Sequence, residues 1–236
     1  MTIIGIDDTD SQTEGMCTTY IGHKIAETLR NTHNEDADTY LIRLNPAAKH
    51  KTRGNAAVAI HTTAPQNTAF NTAKQLVEKH SHPEDTQTNP GIVCTDTEPN
   101  TTTPALNTLG EFTERALTEF IDISEAVDLI EQYNLTSHKI GNGRGRIGAL
   151  AAIAAHTTFT DWTFETITYR AKPNWGEKRV VDWDAIATAH DELYPRIWDN
   201  YDPVTGQGVC VPHTPCPVLL GVRGDDERAV KTAASK

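Results

Sequence analysis

The sequence predicts an α+β fold of two units, each with its elements in ferredoxin-like order, joined near residue 130. Three observations predict it. Through residue 94, short apolar runs and amphipathic stretches follow one another as β-α-β-β-α-β, the ferredoxin-like arrangement. A polar segment rich in Pro and Thr, residues 95–108, then interrupts the pattern. From about residue 135 a similar mixture of elements returns, without a residue-level repeat. The expected domains are 1–130 and 131–236.

Residues 2–6, TIIGI, read as a short buried strand. From Thr18 the apolar residues Ile21, Ile25, Ala26 and Leu29 recur at helical spacing. TYLIRLN and NAAVAIHTT are the next strands, with HKTRG between them. A helix over about 68–80 leads to the apolar run GIVC at 91–94. Helices are expected around 109–120 and 124–133. In the second unit LTSHKIG, TFETITYRA, KRVVDW and PVLLGV read as strands, and GRIGALAAIAAH and DWDAIATAHDEL as helices.

A chain of 236 residues can bury a sizeable core. It carries 32 acidic residues against 21 basic ones, a net charge of −11. That balance fits a salt-adapted cytoplasmic protein and argues against a nonspecific nucleic-acid binder, whose affinity comes from Lys and Arg on phosphates. No run approaches the ~20 apolar residues of a membrane helix, and no basic leader precedes Ile3. The four cysteines form no CxxC pair, so free thiols are expected rather than a disulfide framework or zinc site.

Five segments could carry chemistry. In GIDDTDS, Asp7, Asp8 and Asp10 cluster at the end of the first strand. A solvated turn explains one of them, whereas a hard cation such as Mg²⁺ uses one or two carboxylates together with substrate phosphates. Behind them Gly15 permits a tight turn, and Thr18 or Thr19 offers an N-cap whose helix start can receive an anion. A threonine hydroxyl there could also accept or relay a phosphoryl group.

The loop KTRGN brings Lys51, Arg53, Gly54 and Asn55 between two strands, with Lys49 nearby. Arg53 suits phosphate as a bidentate fork and Lys51 as a point charge. In GNGRGRIG, Gly141, Gly143, Gly145 and Gly148 punctuate a strand-to-helix junction, with Lys139, Arg144 and Arg146 interleaved. Backbone N–H groups can cradle phosphate at such a junction, and a flexible glycine turn has the same pattern. Near the C-terminus, Trp198, Asp199 and Asp202 could line a site for a cationic ligand or belong to a surface loop.

GIDDTDSQTEGMCTTY, RLNPAAKHKTRGNAAVAI, KIGNGRGRIGALAAIA and PCPVLLGVRG, in that order, resemble the archaeal tRNA-Ile 2-agmatinylcytidine synthetases, also called agmatidine synthetases. The resemblance runs from residue 3 to about 224. It implies an N-terminal kinase-like domain followed by a ferredoxin-like domain. It also implies an ATP-dependent ligase that activates the wobble cytidine of the CAU anticodon. Agmatine then displaces the activated oxygen, and AMP and phosphate are released. By position, the resemblance implies that Asp7, Asp8 and Asp10 hold Mg²⁺ and ATP and that Thr18 takes up phosphate. Lys51, Arg53, Gly54, Asn55, Gly141, Gly143, Arg144, Gly145 and Arg146 would hold nucleotide, and Asp199 and Asp202 agmatine.

Members of that family continue with an OB-fold and a zinc ribbon that grip tRNA. Here neither is expected, so tRNA-Ile binding would be weak or would depend on a partner chain. A noncatalytic nucleotide-binding remnant and a small-molecule kinase using the same site are the competing readings.

Overall fold

The computed structural model describes residues 1–11, 17–51, 55–96, 104–159, 164–168 and 220–224. The chain divides into two compact units, Met1–Thr160 and Asp161–Lys236. The first is a mixed α/β unit whose elements run β1 (Thr2–Asp7), α1 (Thr18–His33), β2 (Ala37–Arg43), β3 (Ala56–Thr62), α2 (Gln66–His80), β4 (Gly91–Asp96), α3 (Pro104–Thr118), α4 (Ile123–Gln132), β5 (Thr136–Lys139) and α5 (Arg146–Thr158).

The sheet order is β2-β3-β1-β4-β5, with every neighbouring pair antiparallel. Its first four strands have the ferredoxin-like order read from the sequence. β1 lies at the centre, with Ile4 opposite both Ile60 of β3 and Cys94 of β4. Covered on both faces, it has no polar alternation: Ile3, Ile4 and Ile6 are all buried.

The two faces differ in side-chain size. Gly22 of α1 rests against Val58, whose pairing partner in β1 is Ile6. On the other face Gly5 meets the backbone of Ala149 in α5, so closely that a β-carbon on Gly5 would overlap the Ala149 carbonyl oxygen. Gly91 of β4 meets the backbone of Gly145 and Arg146 in the same way. The Ala-rich run from Ala149 to Ala155 is wholly buried, the composition expected of a helix enclosed on every side. Behind α5, the Thr113 hydroxyl of α3 donates to the Ala151 carbonyl at 2.9 Å.

The domain boundary expected at 130 falls inside this first unit. β5 extends the sheet beside β4, and α5 closes its second face, so both pack with the N-terminal elements. Of the polar segment 95–108, residues 104–108 belong to α3.

In the second unit, β6 (Phe164–Thr168) and β7 (Leu220–Gly224) pair antiparallel, with Phe164 opposite Gly224. KRVVDW and DWDAIATAHDEL lie outside the described residues. No described helix is long and apolar enough to cross a membrane. Cys17, expected as a free thiol, is disulfide-bonded, while Cys94 is free and buried. Spacing along a chain does not report which cysteines meet in space.

Candidate nucleotide and metal site

The C-terminal end of β1 opens into a cleft of about 220 Å³. Asp7, Asp8 and Asp10 line it, together with Lys49, His50, Lys51 and Asn55 from the β2–β3 connection and Arg144 from the turn before α5. Carboxylates and cations that are distant in sequence therefore share one depression.

The acidic loop is held by the connection between α2 and β4. Asp8 adopts a left-handed backbone, φ 58°, uncommon for a residue with a side chain. Its Oδ2 accepts the Asn89 backbone N–H at 3.2 Å and Arg144 Nε at 3.0 Å, and pairs with a terminal Arg144 nitrogen at 2.7 Å. Ser11 Oγ donates to Asp85 at 2.5 Å, and Thr88 Oγ1 donates to the Asp10 carbonyl at 3.0 Å. The Arg144 guanidinium also reaches the Gln87 carbonyl at 2.8 Å.

Electrostatics set this loop apart. Burial, followed by the charge of Asp8, pushes the Asp7 carboxyl well above the usual carboxylate range, and Asp10 adds to the shift. Burial lifts Asp8 to about 7, outweighing the opposing charge and hydrogen bond of Arg144. Buried carboxylates that disfavour one another's ionisation gain most from an added cation. All the donors are oxygen, which suits a hard divalent ion. Among the described residues no three His, Cys, Asp or Glu side chains form a ready-made metal-holding group. Asp7, Asp8 and Asp10, expected to share a metal, do not form such a group by themselves.

On the basic side, Asn45 does the anchoring. Its backbone N–H donates to the Ala116 carbonyl, its Nδ2 to the Glu119 carbonyl, and its own carbonyl accepts Asn55 Nδ2 at 2.9 Å. Lys51 Nζ donates to the Pro46 carbonyl. Arg53 and Gly54 lie outside the described residues, as do Asp199 and Asp202.

The glycine-rich turn departs from the expected cradle. Of its residues, Arg144 lines the cleft, whereas Gly141, Gly143, Gly145 and Arg146 do not. Gly141 (φ 61°) wraps around the Asn89 side chain, whose Oδ1 accepts the Asn142 N–H at 2.9 Å. Gly145 lets the start of α5 lie against the Asp7 carbonyl, where a β-carbon would sit at 2.5 Å. Arg146 Nε folds back onto the Gly143 carbonyl. Close packing accounts for this spacing. Gly148, the fourth glycine of that run, does line the cleft, and a β-carbon there would overlap the Asp7 carboxylate.

Thr18 is not among the cleft residues. It is the first residue of α1, buried, and its hydroxyl accepts that of Thr9 at 3.0 Å. Cys17 takes the N-cap position expected for Thr18 or Thr19, without a side-chain cap bond. The supports that sequence reading missed are Asp85, Thr88 and Asn89. Their polar run SHPEDTQTNP signals a loop, but only the β1–β4 pairing brings it beside the aspartates.

Comparison with known proteins fits this geometry. The model of the TiaS TCKD domain matches residues 3–64, and that of the TiaS FLD domain matches residues 143–236. The tRNA-Ile 2-agmatinylcytidine synthetase TiaS of Haloquadratum walsbyi is 44% identical over 100% of this chain and 51% of its own length. A solved complex of TiaS with its isoleucine tRNA and ATP matches with a TM-score of 0.87 and 35% identity, over 99% of this chain and 54% of that one. A complex of TiaS with the same tRNA, AMPCPP and agmatine gives a TM-score of 0.86 and 34% identity, over 99% and 55%. The chain spans about half the length of the curated relatives it matches. With both domain models matched and similarity running through the whole chain, it belongs to the TiaS family, the tRNA-Ile 2-agmatinylcytidine synthetases.

Proposed function

We propose that the chain carries the ATP-using catalytic part of a tRNA-Ile 2-agmatinylcytidine synthetase. Its products would be 2-agmatinylcytidine at the wobble position, AMP and phosphate. One observation carries the reading: Asp7, Asp8 and Asp10 share a cleft with Lys51, Asn55 and Arg144. Solved relatives hold ATP, or AMPCPP with agmatine, alongside an isoleucine tRNA, which supports the same ligands here. A cytoplasmic location fits that substrate.

In this reading one or two of Asp7, Asp8 and Asp10 would hold Mg²⁺, which supplies charge neutralisation for phosphate oxygens. Lys51 and Arg144 would face the phosphates as a point charge and a planar fork. Arg144, now paired with Asp8, is positioned to exchange that carboxylate for a phosphate oxygen. Asn55 and the neighbouring Arg53 and Gly54 would complete the nucleotide contacts. Gly141, Gly143, Gly145 and Arg146 would act indirectly, by fixing the turn that presents Arg144. Asp199 and Asp202 remain our candidates for the agmatine cation. The kinase-like role would fall to the first unit, which runs past residue 130 to Thr160, and the ferredoxin-like role to the residues after it, with tRNA grip aided by OB-fold and zinc-ribbon elements in the same protein or a partner chain. The sequence relationship favours this ligase over a noncatalytic remnant or a small-molecule kinase.

Incubation with ATP, Mg²⁺, agmatine and tRNA-Ile tests the proposal through the nucleotide product. AMP should accumulate only when both agmatine and the tRNA are present. ADP formed without tRNA over many turnovers, beyond the one equivalent that phosphate transfer to the protein would leave, would support the small-molecule kinase instead.

Thr18 would take up phosphate at its hydroxyl, which the Thr9 hydroxyl orients. Thr18→Ala should eliminate phosphate transferred to protein from γ-labelled ATP and lower the thermal midpoint, because the buried Thr9 hydroxyl loses its acceptor. Labelling that persists in the variant would remove Thr18 from the reaction.

A further inference from the structure

The cleft has an apolar side as well as a charged one. Leu44, Ala116, Phe120, Ile121 and Ile147 line it beside the carboxylates and cations. Phe120 is 68% exposed, and only Met1 is another exposed large hydrophobic among the described residues. A single exposed apolar side chain is ordinary on a protein surface. An exposed aromatic ring at the wall of a polar cleft is less so.

The segment that carries Phe120 is tied down at the preceding residue, Glu119. Arg115 Nε donates to Glu119 Oε2 at 2.9 Å, and another nitrogen of the same guanidinium bonds Glu125 Oε1 at 2.5 Å. One guanidinium thus bridges the residue before Phe120 and the first turn of α4. Asn45 Nδ2 donates to the Glu119 carbonyl at 2.9 Å, tying the same segment to the loop that carries Lys49 and Lys51. Exposed ion pairs add little stability, but together these bonds fix the backbone from which the ring projects. Pre-set aromatic faces lose little entropy when a flat ligand stacks on them.

We infer that Phe120 is the stacking platform for the base of the nucleotide whose phosphates meet Lys51 and Arg144. The inference rests on the proposed ATP-using activity, and it adds a residue and a role that the motifs do not carry. Ligand sites commonly pair an apolar or aromatic wall with a few placed polar groups. Here the charged groups address the triphosphate and Phe120 the adenine π-face. Any base has such a face, so the cytosine of a tRNA anticodon is the other source of one.

Calorimetric titration of the full chain with ATP or with base-free tripolyphosphate, each with Mg²⁺, separates the roles. Phe120→Ala should weaken ATP binding by about tenfold, within the range of base–aromatic stacking, and leave tripolyphosphate binding unchanged. Phe120→Leu keeps apolar bulk without a π-face and should also lose ATP affinity, whereas Phe120→Trp should retain it. Their thermal midpoints should match the wild type. Equal ATP affinity in wild type and Phe120→Ala overturns the inference, as does an equal loss for tripolyphosphate. A loss confined to titration with an anticodon stem-loop RNA assigns the ring to cytosine and overturns the ATP assignment. If the wild-type chain binds neither ATP nor tripolyphosphate, the nucleotide reading itself falls.

Discussion

Asp8→Asn should lower Mg²⁺-dependent ATP turnover by about 100-fold or more, equivalent to roughly 3 kcal/mol of transition-state stabilisation. The substitution nearly preserves shape. An asparagine oxygen can still accept the Asn89 N–H and one Arg144 N–H, so the loop should keep its conformation. What is lost is a negative charge in a buried setting, where Asp8 already ionises reluctantly at its raised pKa of about 7. Removing that charge also relieves the repulsion felt by Asp7. The ligand-free variant should therefore melt no lower than the wild type. Mg²⁺ with ATP should raise the melting midpoint of the wild type and not of Asp8→Asn, because a ligand stabilises only the form that binds it. Unchanged turnover would detach the acidic loop from catalysis.

Gly5→Ala should destabilise the first unit by about 3 kcal/mol or more, at or beyond the upper end of ordinary overpacking. The added methyl would overlap the Ala149 carbonyl oxygen and come near its α-carbon, at 3.1 Å. These are backbone atoms of a buried helix, with no flexible side chain to swing aside. Relief requires α5 to lift from β1. That movement would disturb the Gly145–Asp7 contact and the turn that presents Arg144, so ATP turnover should fall together with stability. Urea unfolding measures the first effect directly. A variant as stable as the wild type would mean that α5 does not bear on β1 as described.

Much of the first unit is legible because its signals are local. The run TIIGI, the helical spacing of Ile21, Ile25 and Leu29, and the crossovers through α1 and α2 predict four strands in the observed order. The domain boundary is harder to read. β5 is a four-residue strand and α5 an almost uniformly apolar helix, and neither carries a mark of the unit it joins. Only pairing with β4 and contact with Gly5 decide that.

The site divides along the same line. Asp7, Asp8, Asp10, Lys51, Asn55 and Arg144 announce themselves by charge or by turn chemistry, and the fold brings them together. The glycines around Arg144 resemble a phosphate loop in one dimension, yet serve close packing and a tight turn in three. Asn89 and Asn45 are single polar residues in loops. Their importance lies in which distant carbonyls and N–H groups they reach, which sequence spacing does not encode. Thr18 could be read either as a cap or as a reactive hydroxyl. Its place within the first turn of α1 removes the cap and leaves the Thr9 hydrogen bond.

The most direct test of the central claim is mass spectrometry of nucleosides from tRNA-Ile treated with the chain, ATP, Mg²⁺ and agmatine. The expected product is 2-agmatinylcytidine at the wobble position, absent whenever ATP, agmatine or the Asp8 carboxylate is missing. Unmodified cytidine in a reaction where the same chain consumes ATP would contradict the ligase assignment.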